Sequence, residues 1–452
     1  MNDHDGNDTA RMLERFMEGQ AEPARDFIPG AHTWGALYEY AAGFLHTLGP
    51  DEPVCLCTED RGTIAAAVLA SLAGGPVCVL PHALSERAIG ETREAIRFDR
   101  AIADHPIDLP GGVEAIRPTR GAWRPTGVRK PDSIFLTLFT GGSTDRPRTW
   151  MKTVASMLGE AQFQVRKYGI TGDDLFAATV PPYHIYGLLF TVLIPLCAGA
   201  TVMGGTHLFP GEISAALGDG GATVLVSVPV HYRSLNGAHI PAKRLRLAFS
   251  SAGPLDPEDA GAFYRETGIA VEEIYGSTET GGVACRSSAA GRDLLEPFEP
   301  VRWRIQNGLL AVQSPFLSPE LPLDADGFFL TGDRAATEQG GRFALLGRAD
   351  SVVKVGGKRV DLQDVRDRIK RLECVRDAFV LSLPGKTGRG AAIAAIVETD
   401  CEEAPLRELL SLSLEPYAMP RRIRVVGTMP STSAGKYDRD AIQRYFGGNG
   451  EA

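Results

Sequence analysis

The feature that most constrains the fold is a repeated alternation of strand-like and helix-like apolar segments. Residues 54–59 (VCLCTE) have the pattern of a strand, 63–75 (TIAAAVLASLAGG) that of an apolar helix ending in two glycines, and 76–81 (PVCVLP) that of a second strand. The rhythm continues at 223–229 and 244–253. Parallel strands need crossover connections, and helices supply them. The sequence therefore predicts a multi-layer α/β domain built on parallel strands.

The pattern changes near Asp350. Residues 352–372 combine a short strand with a charged amphipathic helix, and two strands, a helix and a last strand are predicted from there to residue 430. A chain of 452 residues is also too long for one ordinary core. We therefore predict a large domain over 1–349 and a small α+β domain over 350–452. The short, charged linker is typical of a hinge, which we place at Asp350.

Composition restricts the partners and the compartment. The formal net charge of −9 argues against nucleic acid, because phosphate-backbone binding needs a basic face. The uncharged run at 185–205 is long enough for a bilayer, but Pro195 and glycines interrupt it and no basic cluster flanks it, so we predict a buried helix and strand. Seven cysteines without a CxxC pair predict reduced thiols. The N-terminus lacks an apolar signal core, so we expect a cytoplasmic protein without stable membrane insertion.

Residues 135–150 (FLTLFTGGSTDRPRTW) are the first segment that suggests chemistry. An apolar strand runs into small and hydroxyl residues, whose backbone N–H groups and hydroxyls can contact an anion closely. Arg148 adds a positive charge for phosphate oxygens. The segment is not a Walker A loop, because GxxxxGK[ST] is absent. Taken alone, it fits an ordinary surface turn equally well.

A second segment at 272–286 (EEIYGSTETGGVACR) follows a predicted strand, where α/β sheets bind ligands. The carboxylate of Glu279 suits a Mg²⁺ ion that bridges phosphate oxygens, although in isolation it also fits a helix N-cap. Tyr275 offers a ring that can stack on a base.

Two further segments present single charged residues in loops. Asp333 follows a Thr-Gly turn and has two acceptor oxygens for a sugar diol. Lys436 lies in the glycine-containing loop of MPSTSAGKYDRDAI, just before a predicted helix. In isolation, surface hairpins also explain Asp333, and a lone lysine in a loop is usually a solvated charge.

In this order and spacing, the four segments resemble the adenylate-forming superfamily of acyl- and aryl-CoA synthetases, peptide-synthetase adenylation domains and firefly-type luciferases. TGGSTDRPR resembles its phosphate loop TSGTTGxPK, SSAGPL its adenine wall and YGSTETG its adenine- and magnesium-binding segment. FLTGD and GRADSVVKVGGKRVD resemble its ribose and hinge segments, and PSTSAGKYDR its C-terminal lysine loop. The resemblance extends from about residue 130 to the end of the chain.

The resemblance implies a set of nucleotide-binding residues. They are Thr140, Gly141, Gly142, Ser143, Thr144 and Arg148 at the β- and γ-phosphates, Ser251, Ala252, Gly253, Tyr275 and Gly276 around the adenine, and Asp333 and Arg348 at the ribose. It also implies catalytic and metal roles for Lys436, which bridges the carboxylate and the α-phosphate, Thr278 at the α-phosphate, His184 in the acyl pocket and Glu279 on Mg²⁺. Gly357 would line the thiol tunnel, and Arg359 would contact a nucleotide phosphate. Rotation about Asp350 would present Lys436 and Gly357 in turn.

The phosphate segment departs from the family pattern at two positions. Asp145 stands where the family has glycine, and Arg148 where it has lysine. A carboxylate at Asp145 repels a polyphosphate unless it turns outward or pairs with Arg146 or Arg148. The chain is also shorter than is usual in the family, with most of the missing length before this segment.

The sequence indicates less about the carboxylic acid substrate than about the nucleotide site. Residues 181–190 (PPYHIYGLLF) resemble the acid-binding segment of the family but lack the aspartate that pairs with an amino-acid substrate. Tyr183, Tyr186, Phe190 and His231 offer aromatic or polar walls for an aryl or fatty acid, although the aromatic residues fit core packing as well. YGSTETGGVACR and the short length also resemble ligases of bacterial aryl-polyene and related clusters.

We therefore expect an AMP-forming ligase that uses ATP and Mg²⁺ to convert a small carboxylic acid to an acyl-adenylate and transfers the acyl group to the thiol of CoA. One alternative is a ligase that loads the phosphopantetheine of an acyl carrier protein. Another is a degenerate nucleotide-binding regulatory protein. Asp145 favours this last interpretation, whereas the presence of Lys436, Glu279 and Asp333 argues against it.

Overall fold

The computed structural model describes residues 3–140, 148–355, 358–384, 391–432 and 437–447. Its contacts define an N-terminal unit, Met1–Arg302 with Val312–Phe329, and a C-terminal unit, Trp303–Ala311 with Leu330–Ala452. This division assigns residues 330–349 to the C-terminal unit, whereas the sequence suggests a boundary after residue 349. The hinge at Asp350 stays a prediction.

The N-terminal unit combines helices with two main groups of strands. Its helices are α1 (Asp3–Glu18), α2 (Trp34–Thr47), α3 (Arg61–Leu72), α4 (Glu86–Ala95), α5 (Val154–Tyr168), α6 (Ile185–Leu188), α7 (Ile194–Ala198), α8 (Pro210–Leu217), α9 (Pro229–Ser234) and α10 (Pro257–Thr267). Its strands are β1 (Asp26–Ile28), β2 (His32–Thr33), β3 (Pro53–Leu56), β4 (Val77–Leu80), β5 (Arg100–Ile102), β6 (Glu114–Ile116), β7 (Ile134–Thr140), β8 (Arg148–Thr153), β9 (Leu175–Ala178), β10 (Thr201–Val202), β11 (Val224–Ser227), β12 (Leu247–Ser250), β13 (Val271–Ser277), β14 (Gly281–Ser287) and β15 (Arg292–Pro297).

The sheets of the N-terminal unit are largely parallel, as the alternating pattern predicts. In one sheet the order is β6-β5-β3-β4-β7-β8, with β8 antiparallel to β7 and the other pairs parallel. In the other group, β10, β9, β11, β12 and β13 are parallel, and β14 and β15 continue antiparallel. The carboxyl ends of β9, β11, β12 and β13 therefore meet at one edge, where α/β sheets bind ligands.

Local sequence explains the buried helices. Every residue of α3 is buried, which accounts for an apolar composition on all its faces, and Asp60 caps this helix by accepting from the Thr63 N–H. The uncharged run at 185–205 forms α6, a π-helical turn at Leu189–Leu193, α7 and β10, and most of it is buried, as predicted. Among the described residues, no helix is long and apolar enough to cross a membrane.

The C-terminal unit is an α+β arrangement. Its strands are β16 (Arg302–Gln306), β17 (Leu309–Gln313), β18 (Phe329–Glu338), β19 (Arg342–Arg348), β20 (Val352–Val355), β21 (Lys358–Asp361), β22 (Val375–Pro384), β23 (Ala391–Thr399) and β24 (Arg422–Val426), and its helices are α11 (Leu362–Lys370), α12 (Glu403–Ser413) and α13 (Arg439–Gly447). The strands β22, β23 and β24 form one sheet in that order. Ile369 of α11 and Leu406 of α12 pack on one face of it, and Ile442 of α13 packs on the other.

The observed elements confirm the α/β class with a small α+β unit. The sequence did not predict α1 or the antiparallel strands β14 to β19, because glycine-rich and charged hairpins resemble loops. All seven cysteines are free thiols, five of them buried, in agreement with the prediction.

Candidate functional site

The hairpin of β7 and β8 brings Thr140 and Arg148 together. The two residues lie opposite each other across the antiparallel pair, and the Thr140 hydroxyl accepts from the Trp150 indole N–H at 3.1 Å. Arg148 is exposed. Gly141, Gly142, Ser143 and Thr144, which the sequence also assigns to phosphate binding, lie outside the described residues, as does Asp145.

The segment after β12 lies beside β13, as the adenine assignment requires. The Ser251 hydroxyl donates to the carbonyl of Ile274 at 2.9 Å. Ala252 has φ of +72°, a left-handed conformation that costs an L-residue roughly 1–2 kcal/mol. Ala252 and Gly253 are exposed. This backbone therefore presents an open, strained corner next to Tyr275.

The turn that carries Thr278 and Glu279 is closed by its own hydroxyl groups. The Ser277 N–H donates to the Thr280 hydroxyl at 3.1 Å, and the Thr280 N–H donates to the Ser277 hydroxyl at 3.2 Å. Position 276 requires glycine because the backbone of Gly281 lies so close to it that a β-carbon would be 2.3 Å from the Gly281 carbonyl oxygen. Thr278 is buried and Glu279 is half-buried.

The carboxylate of Glu279 makes this turn suitable for the expected Mg²⁺ ion. Among the described residues, the Glu279 carboxylate forms no hydrogen bond or ion pair, while its backbone carbonyl accepts from the Ser318 N–H at 2.8 Å. The described part of the chain contains no cluster of three or more His, Cys, Asp or Glu side chains suited to a metal. Mg²⁺ is commonly held by one or two carboxylates with substrate phosphates and water, so a lone carboxylate fits a nucleotide-bound cation.

A buried lysine and a buried glutamate lie behind this turn. Lys152 of β8 is 0% exposed and its ammonium donates to the Phe316 carbonyl at 3.4 Å, while Glu160 of α5 is 2% exposed and accepts from the Gly282 N–H at 2.7 Å. Burial lowers the pKa of Lys152 to about 8, and the carboxylates that oppose this shift belong to Glu160, Glu320 and Glu279. Burial raises the pKa of Glu160 to about 7, against the Gly282 N–H and the Lys152 charge.

Sequence reasoning missed this pair. In β8 the side chain of Met151 is 39% exposed while that of Lys152 is buried, the reverse of what residue type suggests. Because adjacent strand residues point to opposite faces, one of the two had to be buried. That alternation was the available indication, but it does not say which residue points inward.

The predicted acid segment is fixed by a second buried cation. Arg61 is 1% exposed and donates to the Thr191 hydroxyl at 3.0 Å, to the Val180 carbonyl at 2.8 Å and to the Gly205 carbonyl. His184 is the N-cap residue that precedes α6, and the centroid of its ring lies 4.6 Å from that of Tyr183.

Aromatic rings follow His184 into the interior. Tyr186 contacts Phe190, and Phe190 contacts Phe249, each with ring centroids 5.0 Å apart. His231 lies in α9, and burial lowers its pKa. The residues proposed as pocket walls therefore include rings packed in the core, and their contact with an acid stays a prediction.

In the C-terminal unit, Asp333 and Arg348 lie opposite each other on β18 and β19. The guanidinium of Arg348 is 3.6 Å from the Asp333 carboxylate and 3.2 Å from that of Asp350. The guanidinium also lies over Gly332, since a β-carbon at that position would be 2.7 Å from a guanidinium nitrogen of Arg348. The Arg348 guanidinium holds the pKa of Asp350 below its usual value. The two predicted ribose residues are thus neighbours.

The remaining predicted residues of this unit are partly described. Arg359 is exposed on β21, opposite Lys354. Gly357 and Lys436 lie outside the described residues. Tyr437, which follows Lys436 directly, is anchored by hydrogen bonds between its hydroxyl and the Asp377 carboxylate at 2.9 and 3.0 Å.

Comparison with known proteins identifies relatives of this chain by sequence and by fold. The sequence profile of the AMP-binding enzymes matches residues 31–298. A probable 2-succinylbenzoate–CoA ligase of Mycobacterium tuberculosis is 30% identical over 364 residues, which cover 73% of this chain and 89% of that protein. A sulfoacetate–CoA ligase of Cupriavidus necator is 26% identical over 385 residues, 77% of this chain and 74% of that protein. The crystal structure of ATP-bound MatB from Rhodopseudomonas palustris has a TM-score of 0.82 at 21% identity, with 97% of this chain and 99% of that chain covered, and so shares the fold.

Proposed function

The chain belongs to the family of AMP-binding enzymes, and we propose that it activates an aryl or fatty acid with ATP and transfers the acyl group to the thiol of CoA. As a member of this family it is an ATP-dependent ligase, and the class of acid and the CoA acceptor are the proposed parts. The observation that carries the proposal is the juxtaposition of Ser251, the β13 edge and the Glu279 turn at the carboxyl ends of parallel strands.

The proposed reaction has two steps. A carboxylate oxygen of the acid attacks the α-phosphorus of ATP, the bond from that phosphorus to the bridging oxygen breaks, and pyrophosphate leaves. The thiol sulfur then attacks the acyl carbon, and AMP leaves. Both steps need positioning and charge neutralisation rather than a covalent enzyme intermediate.

The proposed roles of the residues follow from their chemistry. Thr140 and Arg148 would bind the phosphates, and Thr278 the α-phosphate. The backbone from Ser251 to Gly253, with Tyr275 and Gly276, would form the adenine site. Asp333 and Arg348 would bind the ribose hydroxyls. Mg²⁺ held by Glu279 would supply neutralising charge on the phosphate oxygens.

The class of acid is inferred from the predicted acid segment. Residues 180–191 contain no Asp, Glu, Lys or Arg, and they are rich in aromatic and aliphatic residues. An α-amino acid would place its ammonium there without a carboxylate partner, which is costly in a dry pocket. An aryl or fatty acid has no such requirement.

A release assay tests the proposed function. Pyrophosphate would be measured with ATP, Mg²⁺ and panels of benzoic, hydroxycinnamic, straight-chain and α-amino acids, with and without CoA. We expect release with aryl or fatty acids, none with amino acids, and CoA consumption equal to the AMP formed. Adenylate that accumulates without CoA consumption, and thioester that appears on added carrier protein, would assign the carrier as acceptor. No release with any acid would support the regulatory alternative.

Separate half-reactions test the proposed domain rotation. We expect Lys436→Ala to reduce acid-dependent ATP–pyrophosphate exchange by roughly 10²–10³ because it removes an oriented charge, and to spare thioester formation from supplied acyl-adenylate. Gly357→Leu should do the reverse, because a side chain would block a narrow thiol tunnel. Lys243→Ala, at an exposed lysine of the N-terminal unit, is the control and should leave both half-reactions unchanged. Equal impairment of both steps by both variants would contradict the rotation.

A further inference from the structure

Lys152 and Glu160 lie buried under the Glu279 turn and are not among the residues proposed to contact the nucleotide, the metal or the acid. Lys152 and Glu160 come from consecutive elements, β8 and α5, which the capping residue Thr153 joins. Both side chains are almost completely buried. Removing charges from water is expensive, and an apolar pair of similar volume often stabilises a fold as well. A stability role alone therefore explains the presence of these charges poorly.

Glu160 contacts the turn through two glycines. Its carboxylate accepts from the Gly282 N–H at 2.7 Å. A β-carbon at Gly281 would lie 2.6 Å from one carboxylate oxygen, and a β-carbon at Gly282 would lie 2.9 Å from the other. Gly281 also has φ of +66°, where glycine is favoured. The carboxylate thus occupies the space that side chains would need, and it fixes the backbone two and three residues after Glu279.

Lys152 connects the same turn to the phosphate hairpin through a third segment. Its ammonium donates to the Phe316 carbonyl. Two residues further on, the Ser318 N–H donates to the carbonyl of Glu279 at 2.8 Å. Strand β8, the segment that begins at Phe316 and the turn are therefore held together around one buried positive charge, next to the carboxylates of Glu160, Glu320 and Glu279.

We propose that Lys152 and Glu160 are positioning residues that hold the Thr278–Gly282 turn in the conformation in which Glu279 binds the divalent cation of a metal–nucleotide complex. This inference rests on the proposed function of Glu279. Groups that orient a metal ligand without touching the metal commonly change metal affinity by roughly 10- to 100-fold when they are removed. Both side chains are buried and Glu160 contacts the turn at the Gly282 N–H, so the pair would act on the metal through the backbone of the turn.

The test measures metal binding without turnover. Mn²⁺ binding to the full chain with ATP, in the absence of any acid, would be followed by electron paramagnetic resonance, and binding of metal-free ATP by calorimetry. We expect Glu160→Met to weaken Mn²⁺ binding about tenfold while ATP affinity without metal stays within about twofold. Glu160→Gln retains an oxygen that accepts from the Gly282 N–H, so we expect it to keep Mn²⁺ affinity within about threefold.

Two further variants guard against loss of folding. Glu160→Met leaves the Lys152 charge buried without its main partner, so the double variant Lys152→Met/Glu160→Met removes both charges at similar volume. We expect this variant to fold and to show the same tenfold loss. The matched control is Asp259→Asn, because Asp259 is a buried carboxylate of α10 whose described hydrogen bonds are with Arg233 and Asn236. It should keep wild-type Mn²⁺ affinity.

Each outcome decides one of the two proposals. Wild-type Mn²⁺ affinity in the folded double variant would overturn the positioning role of the pair, and so would an equal loss in Asp259→Asn. If Glu279→Gln binds Mn²⁺ and ATP as wild type does, the metal role of Glu279 fails, and the part of the proposed function on which the inference rests fails with it. A tenfold loss in Glu160→Met and in the double variant, with recovery in Glu160→Gln, supports the inference.

Discussion

Arg61 and Lys152 are buried cations of the N-terminal unit that are stabilised in different ways. Arg61 donates its hydrogen bonds to neutral acceptors, among them the Thr191 hydroxyl and the Val180 carbonyl, while the nearby carboxylates of Glu59 and Asp60 stabilise its charge. Lys152 donates to one carbonyl and otherwise lies among carboxylates, chiefly that of Glu160. The planar guanidinium has five donors in a fixed fork and can be satisfied by dipoles from several segments, whereas an ammonium is a compact charge.

The difference determines what remains when each cation is removed. Without Arg61, the protein keeps unpaired but neutral acceptors. Without Lys152, it keeps a buried carboxylate. The first loss should be independent of pH near neutrality, whereas the second should depend on pH.

Lys152→Met should produce the largest loss of stability, about 3–5 kcal/mol in the free energy of unfolding near pH 8. The folded-state pKa of Glu160 is already raised from 4.5 to about 7, so stability falls as pH rises through that window, because the unfolded state gives up the proton first. Loss of the ammonium raises this pKa further and extends the window upward. The destabilisation relative to wild type should therefore be greater near pH 8 than near pH 6.

Urea unfolding of Lys152→Met at the two pH values provides the measurement. The double variant Lys152→Met/Glu160→Met should recover most of the stability and lose the pH dependence, because no charge remains buried. A pH-independent loss in the single variant would show that Glu160 is not the group left uncompensated.

Arg61→Met should cost about 2 kcal/mol, because it leaves the buried Val180 carbonyl and the buried Thr191 hydroxyl without the donor that each accepts from. Burial lowers the pKa of Arg61 only to about 10, the hydroxyl and carbonyl oxygens that accept from it do not titrate, and the neighbouring Asp60 carboxylate, whose pKa is lowered, stays ionised, so the loss should be equal near pH 6 and near pH 8. The same urea titration measures it. The control is Arg87→Met, an exposed arginine that should change stability by less than about 0.5 kcal/mol. A loss that varies with pH would remove the contrast between the two cations.

Glu320→Gln should have the smallest effect, below about 0.5 kcal/mol. Glu320 is exposed, and its side-chain oxygen accepts from the Met151 N–H at 2.7 Å, a hydrogen bond that the amide oxygen of glutamine retains. This variant distinguishes the contributions of the two carboxylates to the stabilisation of Lys152, because solvent screens the charge of Glu320 but not that of Glu160. A loss in unfolding free energy as large as that of Lys152→Met would show that the exposed carboxylate, not the buried one, balances the ammonium.

Part of the candidate site could be predicted because its residues lie in short, contiguous segments of the sequence. Small and hydroxyl residues follow the apolar strand β7 in sequence, and the turn follows the apolar strand β13, which belongs to a second sheet. Asp333 and Arg348 were assigned to one ligand by resemblance, and they lie opposite each other in the hairpin. The antiparallel strands between residues 281 and 348 escaped prediction, since charged hairpins and loops have similar compositions.

The α/β class, the alternating strands and helices of the parallel sheets and the segments that suggest a nucleotide site were determined by the sequence alone, because strand and helix periodicity and turn chemistry act over a few residues. Only the tertiary structure decided that Lys152 rather than Met151 is buried, and that Glu160 meets Gly282 across 122 positions. It also decided that residues 330–349 belong with the C-terminal unit. Burial and charge pairing depend on which distant segments pack together, and that choice minimises the energy of the whole fold rather than of any local stretch.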